Sequence, residues 1–180
     1  VVEHDNAWQQ RTPLQAVGPF VAMVNGTAGS GKTYLIHALL DYLGERVITA
    51  APTGVAADNI GGATYHSIFK IPCWGDIWRT DIVSSGTQAH LNELLGECSP
   101  KLQYVIFGAM LMMGKRQLGQ IDHMMRHGTG NLDQPFGGLN VIFFGDHGQL
   151  PPVKDERCFS WAKCKYERSS PDCKCHNQSC

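Results

Sequence analysis

No apolar run in this 180-residue chain approaches the 18 or more residues that a membrane-spanning helix needs, so no membrane partner is expected. The first residues, Val1-Val2-Glu3-His4-Asp5, lack the basic start and apolar stretch of a signal peptide. An excess of positive charge is also missing. The formal net charge is -1, so there is no global basic field of the kind that marks many polyanion binders, and any such contact must be local. No internal repeat is found. Paired cysteine knuckles are absent too: the seven cysteines are an odd number, and Cys73 and Cys98 stand alone. With no secretory signal, free thiols in a reducing nuclear or cytoplasmic compartment are expected rather than a disulfide framework. The chain does not open on Met and is expected to be a piece of something longer.

What is present is a globular composition, 43% hydrophobic and 17% charged, in a length that suits one domain with a genuine core. Residues 1–18 are polar, carry Pro13 and Gly18, and read as a lead-in segment with one short helix. Phe20–Val24 follows as a short apolar run bounded by turn residues, the pattern of a buried parallel strand. Over Tyr34–Leu43 the residues Leu35, Ile36, Leu39, Leu40 and Leu43 share one helical face, and Gly44 stands where a left-handed cap is favoured. Arg46–Ala50 makes a second strand. Strand, helix and strand in this order form a βαβ unit, so the class is α/β, a parallel sheet flanked by helices. Tyr104–Phe107 and Val141–Phe144 are two further buried-strand candidates, with Leu118, Ile121 and Met125 at helical spacing between them. Residues 72–100 read as loop and helix, and the domain is expected to occupy 19–153.

Between the first strand and its helix lies Gly26-Thr27-Ala28-Gly29-Ser30-Gly31-Lys32-Thr33, a full match to G-x-x-x-x-G-K-[ST] in the context it requires. Glycines let backbone N–H groups curl around phosphates without Cβ clashes. A helix starting near Lys32 aims its positive end at the same anion. Lys32 adds a mobile point charge for the β and γ phosphates, and the Thr33 hydroxyl is suited to Mg²⁺.

Two further stretches carry a resemblance. Ala51-Pro52-Thr53-Gly54-Val55-Ala56-Ala57 with Asn59-Ile60-Gly61-Gly62-Ala63-Thr64-Tyr65-His66-Ser67 resembles the segment after the second strand in Pif-type (petite integration frequency) DNA helicases. Phe136-Gly137-Gly138 through Gly145-Asp146-His147-Gly148-Gln149-Leu150-Pro151-Pro152-Val153 resembles that family's third motif, and the helicase region of Helitron transposons still more closely. Gly119-Gln120-Ile121-Asp122 fits the same group, so the likeness covers about residues 20–155. It implies a RecA-like P-loop NTPase lobe that binds ATP with Mg²⁺, contacts single-stranded DNA or a DNA junction, and moves 5′ to 3′ together with a second RecA-like lobe.

By that resemblance Gln149 senses the γ-phosphate from the end of a strand, beside Asp146, and with Lys32 these make the catalytic set. His147 replaces the aromatic residue usual there. Thr53, Gly54 and His66 would touch the DNA backbone, where small residues permit close approach; Thr64 and Ser67 read equally as helix-capping residues. An upstream glutamine that reads adenine would be Gln9, Gln10 or Gln15, although a glutamine in a polar lead-in is usually only solvated.

The family carries adjacent Asp and Glu at the end of the third strand, one for Mg²⁺ and one to prepare the attacking water. Alignment puts Gly108-Ala109 there, and Leu111 where a serine is usual. Asp146 as the metal acid is the lesser reading, because no Glu follows it. The second lobe, which supplies an arginine finger in the family, is not reached before the chain ends. The expectation is therefore a truncated or degenerate helicase lobe that binds Mg-ATP or ADP weakly, hydrolyses ATP poorly and does not unwind DNA alone. The alternative is a non-catalytic nucleotide- or DNA-binding module, or a transposon-derived relic. A P-loop kinase is argued against by the two long motifs. Residues 154–180 hold Cys158, Cys164, Cys173, Cys175, His176 and Cys180, but Cys173-Lys174-Cys175 is too tight and Cys158 and Cys164 too far apart for zinc knuckles. A disordered, Cys-rich tail is expected there.

Overall fold

In the two central apolar runs, neighbouring residues face opposite sides of a sheet, and both sides are covered. Val105 and Phe107 join one core cluster while Ile106 joins another; Val141 and Phe143 divide from Ile142 and Phe144 in the same way. This period of two, apolar at every position, is what a strand buried on both faces requires. The protein was studied as a computed structural model, which describes residues 19–71, 83–96, 102–146, 148, 150–152, 155, 156 and 158. The lead-in 1–18 with its three glutamines lies outside them, as do Cys73, Cys98, His147, Gln149, Val153, Cys164, Cys173, Cys175, His176 and Cys180.

The elements run β1 (Val21–Asn25), α1 (Lys32–Leu43), β2 (Val47–Ala51), α2 (Gly54–Asp58), β3 (Ala63–Thr64), α3 (Tyr65–Ile68), α4 (Ser85–Leu95), β4 (Tyr104–Phe107), α5 (Lys115–Thr129) and β5 (Asn140–Gly145). The strands form one sheet in the order β1-β5-β4-β2-β3, and every pair is parallel. Ile36, Leu39 and Leu40 of α1 and Ala57 of α2 cover one face; Tyr65 of α3, Leu91 and Leu95 of α4, and Ile121, Met124 and Met125 of α5 cover the other. The expected α/β layering is what the chain adopts. No helix among the described residues is long and apolar enough to cross a membrane.

Three expectations need correction. The first strand is not buried: Val21 is 55% exposed, because β1 is the last strand of the sheet and pairs only with β5 among the described strands. Leu35 is 42% exposed, because Ile36 and Leu43 take the centre of the contact and Leu35 falls at its margin. Gly44 has a positive φ, 56°, but its ψ of -127° lies outside the left-handed helical region expected of the cap; its N–H returns to Leu40 O. Thr64 caps α3, its hydroxyl oxygen accepting the Ser67 N–H at 3.3 Å.

The start of α5 is held by residues far along the chain. Asp155 Oδ2 accepts the N–H of Arg116 at 3.1 Å and of Gln117 at 3.4 Å. The Lys115 N–H donates to Glu156 O at 2.9 Å, and Cys158 Sγ donates to Met113 O at 3.3 Å. Any Cβ on Gly114 would collide with the Asp155 carboxylate. Three residues of the stretch expected to lie outside the fold thus rest against it.

Candidate functional site

Parallel strands present all their carboxyl ends at one edge of a sheet, where ligands of open α/β folds bind. The order β1-β5-β4 sets three of those ends side by side. The loop leaving β1 is tied to the end of β5 by a hydrogen bond from Gly26 N–H to Gly145 O, 3.1 Å.

Within that loop, Ser30 N–H donates to Thr27 O at 3.2 Å, and Leu35 N–H to Gly31 O at 3.0 Å opens α1. Gly29 and Gly31 sit at φ 77° and 85°, in the left-handed region, which costs a residue with a side chain about 1–2 kcal/mol. Gly31 is the N-cap of α1 and no side chain caps that end, so the first-turn N–H groups stay available to an anion. Lys32 Nζ is folded into the loop, donating to Gly26 O and Thr27 O at 2.7 Å each and to Ser30 Oγ at 3.4 Å. Thr27, Ala28, Gly29, Ser30, Gly31 and Thr33 are exposed. The arrangement is an exposed glycine turn with one cation at its centre, chemistry suited to an oligophosphate.

A cavity of about 150 Å³ opens beside the loop, lined by Lys32, Thr33, Asn59, Ile60, Gly108 and Ala109, with Phe144 and Gly145 from the end of β5. Gly108 follows β4, and its N–H donates to Ala50 O at 2.9 Å. Ala109 is held left-handed at φ 49°, ψ 39°. Ile60, 4% exposed, fills the space at this corner: a Cβ on Gly108 would lie 2.9 Å from Ile60 Cδ1.

Asp146, Thr53, Gly54 and His66 are not part of this lining. Asp146 follows β5 and is 6% exposed, but its Oδ1 accepts the Gly148 N–H at 2.9 Å and the carboxylate is not part of the lining. Thr53 and Gly54 lie at the exit of β2, where Thr53 Oγ1 accepts the Ala56 N–H at 3.2 Å and caps α2. His66, in α3, is half-buried with its ring 4.3 Å from that of Tyr65; burial lowers its pKa below the ordinary 6.5. None of these three lines the cavity.

Asn59 and Ile60 do line it, and sequence reasoning gave them no chemistry. They lie more than two dozen positions after Lys32, so only the fold brings them in. His37 Nε2, one turn past Thr33, is 3.2 Å from Asn59 O and ties α1 to the exit of α2.

The residues present fit a phosphate chain. They do not fit a resident divalent cation: among the described residues the lining includes Thr33 and Asn59 but no Asp or Glu, and no group of three or more His, Cys, Asp or Glu side chains among them could hold a metal.

The family model for PIF1-like helicases matches residues 14–164. A curated relative, ATP-dependent DNA helicase Pif1 of Psychrobacter sp. (strain PRwf-1), is 35% identical over 133 residues, covering 72% of this chain and 19% of that protein. ATP-dependent DNA helicase PIF1 of Trypanosoma brucei brucei is 31% identical over 153 residues, 83% of this chain and 15% of its own length. Among solved structures, unliganded Pif1 from Bacteroides sp superposes with a TM-score of 0.62 at 37% identity, over 80% of this chain and 31% of that one. Pif1 helicase from Bacteroides in complex with ADP-AlF3 and ssDNA gives 0.63 at 36%, over 86% and 34%. The chain therefore spans a fifth or less of the length of these two curated relatives.

Proposed function

The chain belongs to the PIF1-like helicase family, and from that premise we propose that it is the first RecA-like lobe of an ATP-dependent DNA helicase moving 5′ to 3′. The observation that carries the nucleotide half of this reading is the Lys32 ammonium among the carbonyls of Gly26 and Thr27 at the head of α1. Charged phosphate oxygens are stronger acceptors than neutral carbonyls, so the tail of ATP or ADP would draw Nζ to itself. Backbone N–H groups of the loop at the head of α1, other than those of Gly26 and Ser30, complete the grip. The Thr33 hydroxyl is the P-loop group that would face a Mg²⁺ arriving with the nucleotide; as a single neutral ligand it does not make a metal site by itself. Gln149 is assigned to the γ-phosphate and Asp146 to the same strand end.

The Bacteroides complex with ADP-AlF3 and ssDNA supports extending both ligands to this chain. Thr53, Gly54 and His66 are the residues proposed to meet the DNA backbone, through hydroxyl and N–H donors that carry no base preference. A second RecA-like lobe is the proposed closing partner, in a nuclear or cytoplasmic setting.

Gly108 and Ala109 set the expected rate. Neither can orient a water, and loss of a general base costs about 10²–10⁴ in rate. An arginine from a second lobe is worth about another 10³–10⁵. The lobe alone is expected to bind nucleotide, hydrolyse ATP slowly and leave duplex DNA unopened. ATPase assay with and without single-stranded DNA checks this; vigorous DNA-stimulated turnover would overturn the slow-hydrolysis reading. The same two residues favour a second reading, a non-catalytic nucleotide- or DNA-binding module or a transposon-derived relic. Titration with a fluorescent nucleotide separates these. Binding that Lys32→Ala abolishes marks a working site, whereas a relic has no binding to lose.

A further inference from the structure

We propose that nucleotide binding in this cavity is indifferent to divalent cations, an inference that rests on reading the P-loop as a nucleotide site. A protein makes a Mg²⁺–nucleotide complex bind better than the free nucleotide by giving the metal ligands of its own. Mg²⁺ parts with its waters reluctantly and is usually held through one or two carboxylates together with the phosphates. Among the described residues, the oxygen-bearing side chains of the lining are those of Thr33 and Asn59, and no carboxylate joins them.

The deficit is built into the walls. At the end of β4 the Gly108 position has no side chain, and the space a Cβ would enter lies 2.9 Å from Ile60 Cδ1, so that corner is hydrocarbon. Ile60 is 4% exposed and belongs to the core cluster with Ile106 and Phe144, which holds it in place. At the end of β5 the one acid, Asp146, has turned its Oδ1 to the Gly148 N–H. The remaining recognition, N–H groups and the Lys32 ammonium, acts on phosphate oxygens directly. The protein presents the same donors in either case, and the described lining adds no charged ligand for the metal.

The test is calorimetric titration of the full chain with ADP, once in excess magnesium and once in EDTA. The expected dissociation constants agree within about threefold, since no charged protein ligand rewards the metal, and Lys32→Ala abolishes binding in both. A second arm installs the missing ligand: Gly108→Asp together with Ile60→Val, which removes the methyl that a Cβ would meet. With its fold checked by circular dichroism, that variant is expected to bind ADP at least about tenfold more tightly with magnesium than without. Tenfold or greater tightening by magnesium in the wild type, sensitive to Lys32→Ala, overturns metal indifference and leaves the nucleotide site standing. No binding under either condition overturns the nucleotide reading and this inference with it. A folded variant that stays metal-indifferent overturns the assignment of the β4 corner as the cause.

Discussion

Ala109, in the wall of the cavity, is held at φ 49°, and a left-handed alanine costs of order 1 kcal/mol. Strain of this kind persists where the surroundings over-determine the backbone, here the Gly108 N–H bound to Ala50 O on one side and the buried Met110 on the other. His66 stores a different quantity, a protonation difference. Burial lowers its pKa from 6.5, and His127 is lowered likewise, by burial first and by the charge of His123 second. An imidazole depressed in the folded state takes up its proton more readily when unfolded. Its contribution to stability is therefore complete above 6.5 and is lost as pH falls from there towards the folded value. Urea denaturation across a pH series should show stability declining through that window, with a shallower decline in a His66→Gln, His127→Gln double variant. An unchanged slope would remove these two groups as its source.

At the scale of elements, the informative helix is α5. Its own N-cap is Gly114, which has no side chain to offer, and the cap carboxylate comes from Asp155. The lack of a Cβ on Gly114 is what lets that carboxylate in. Further along, Asp122 accepts the Phe136 N–H at 2.6 Å with one oxygen and takes Arg126 Nε at 2.8 Å with the other, fixing the loop that enters β5 although Phe136 is left-handed at φ 52°. Asp155→Ala is expected to lower stability by about 1 kcal/mol, the usual worth of a helix cap, read as a lower urea midpoint with an unchanged slope. If the variant matches wild type, the Asp155 carboxylate contributes nothing to the fold. Sequence reasoning placed Asp155 in a loose tail because no local periodicity marks it; a cap supplied from 39 residues away leaves no local sign.

For the whole molecule, stability rests on a sheet packed on both faces. Phe143 stacks on Phe107 at 5.1 Å and meets the edge of Phe136 at 6.0 Å. It is 3% exposed in the larger core cluster, which joins α3, α4 and α5 to the strands. Phe143→Ala should cost about 3–5 kcal/mol, a large share of a domain's usual 5–15 kcal/mol, and thermal melting would show it as a sharp fall in midpoint. A loss below 1 kcal/mol would mean that the two aromatic partners close over the gap.

The α/β class, the strands read at 104–107 and 141–144, the P-loop and the likeness to a helicase lobe were all legible in the chain itself. Each is a local pattern: period two with apolar residues throughout, period 3.6, or a short motif whose glycines and lysine have one chemical use. Strand order was not local. Nothing between residues 20 and 145 says that β5 slides between β1 and β4, and only that order puts Gly108, Ala109 and Ile60 in the wall beside Lys32 and Thr33. The exposure of β1, the reach of Asp155 to α5 and the turning of Asp146 towards Gly148 were decided at the same level. Each depends on which distant backbone atoms end up within hydrogen-bonding or van der Waals range, and a linear sequence does not carry that distance.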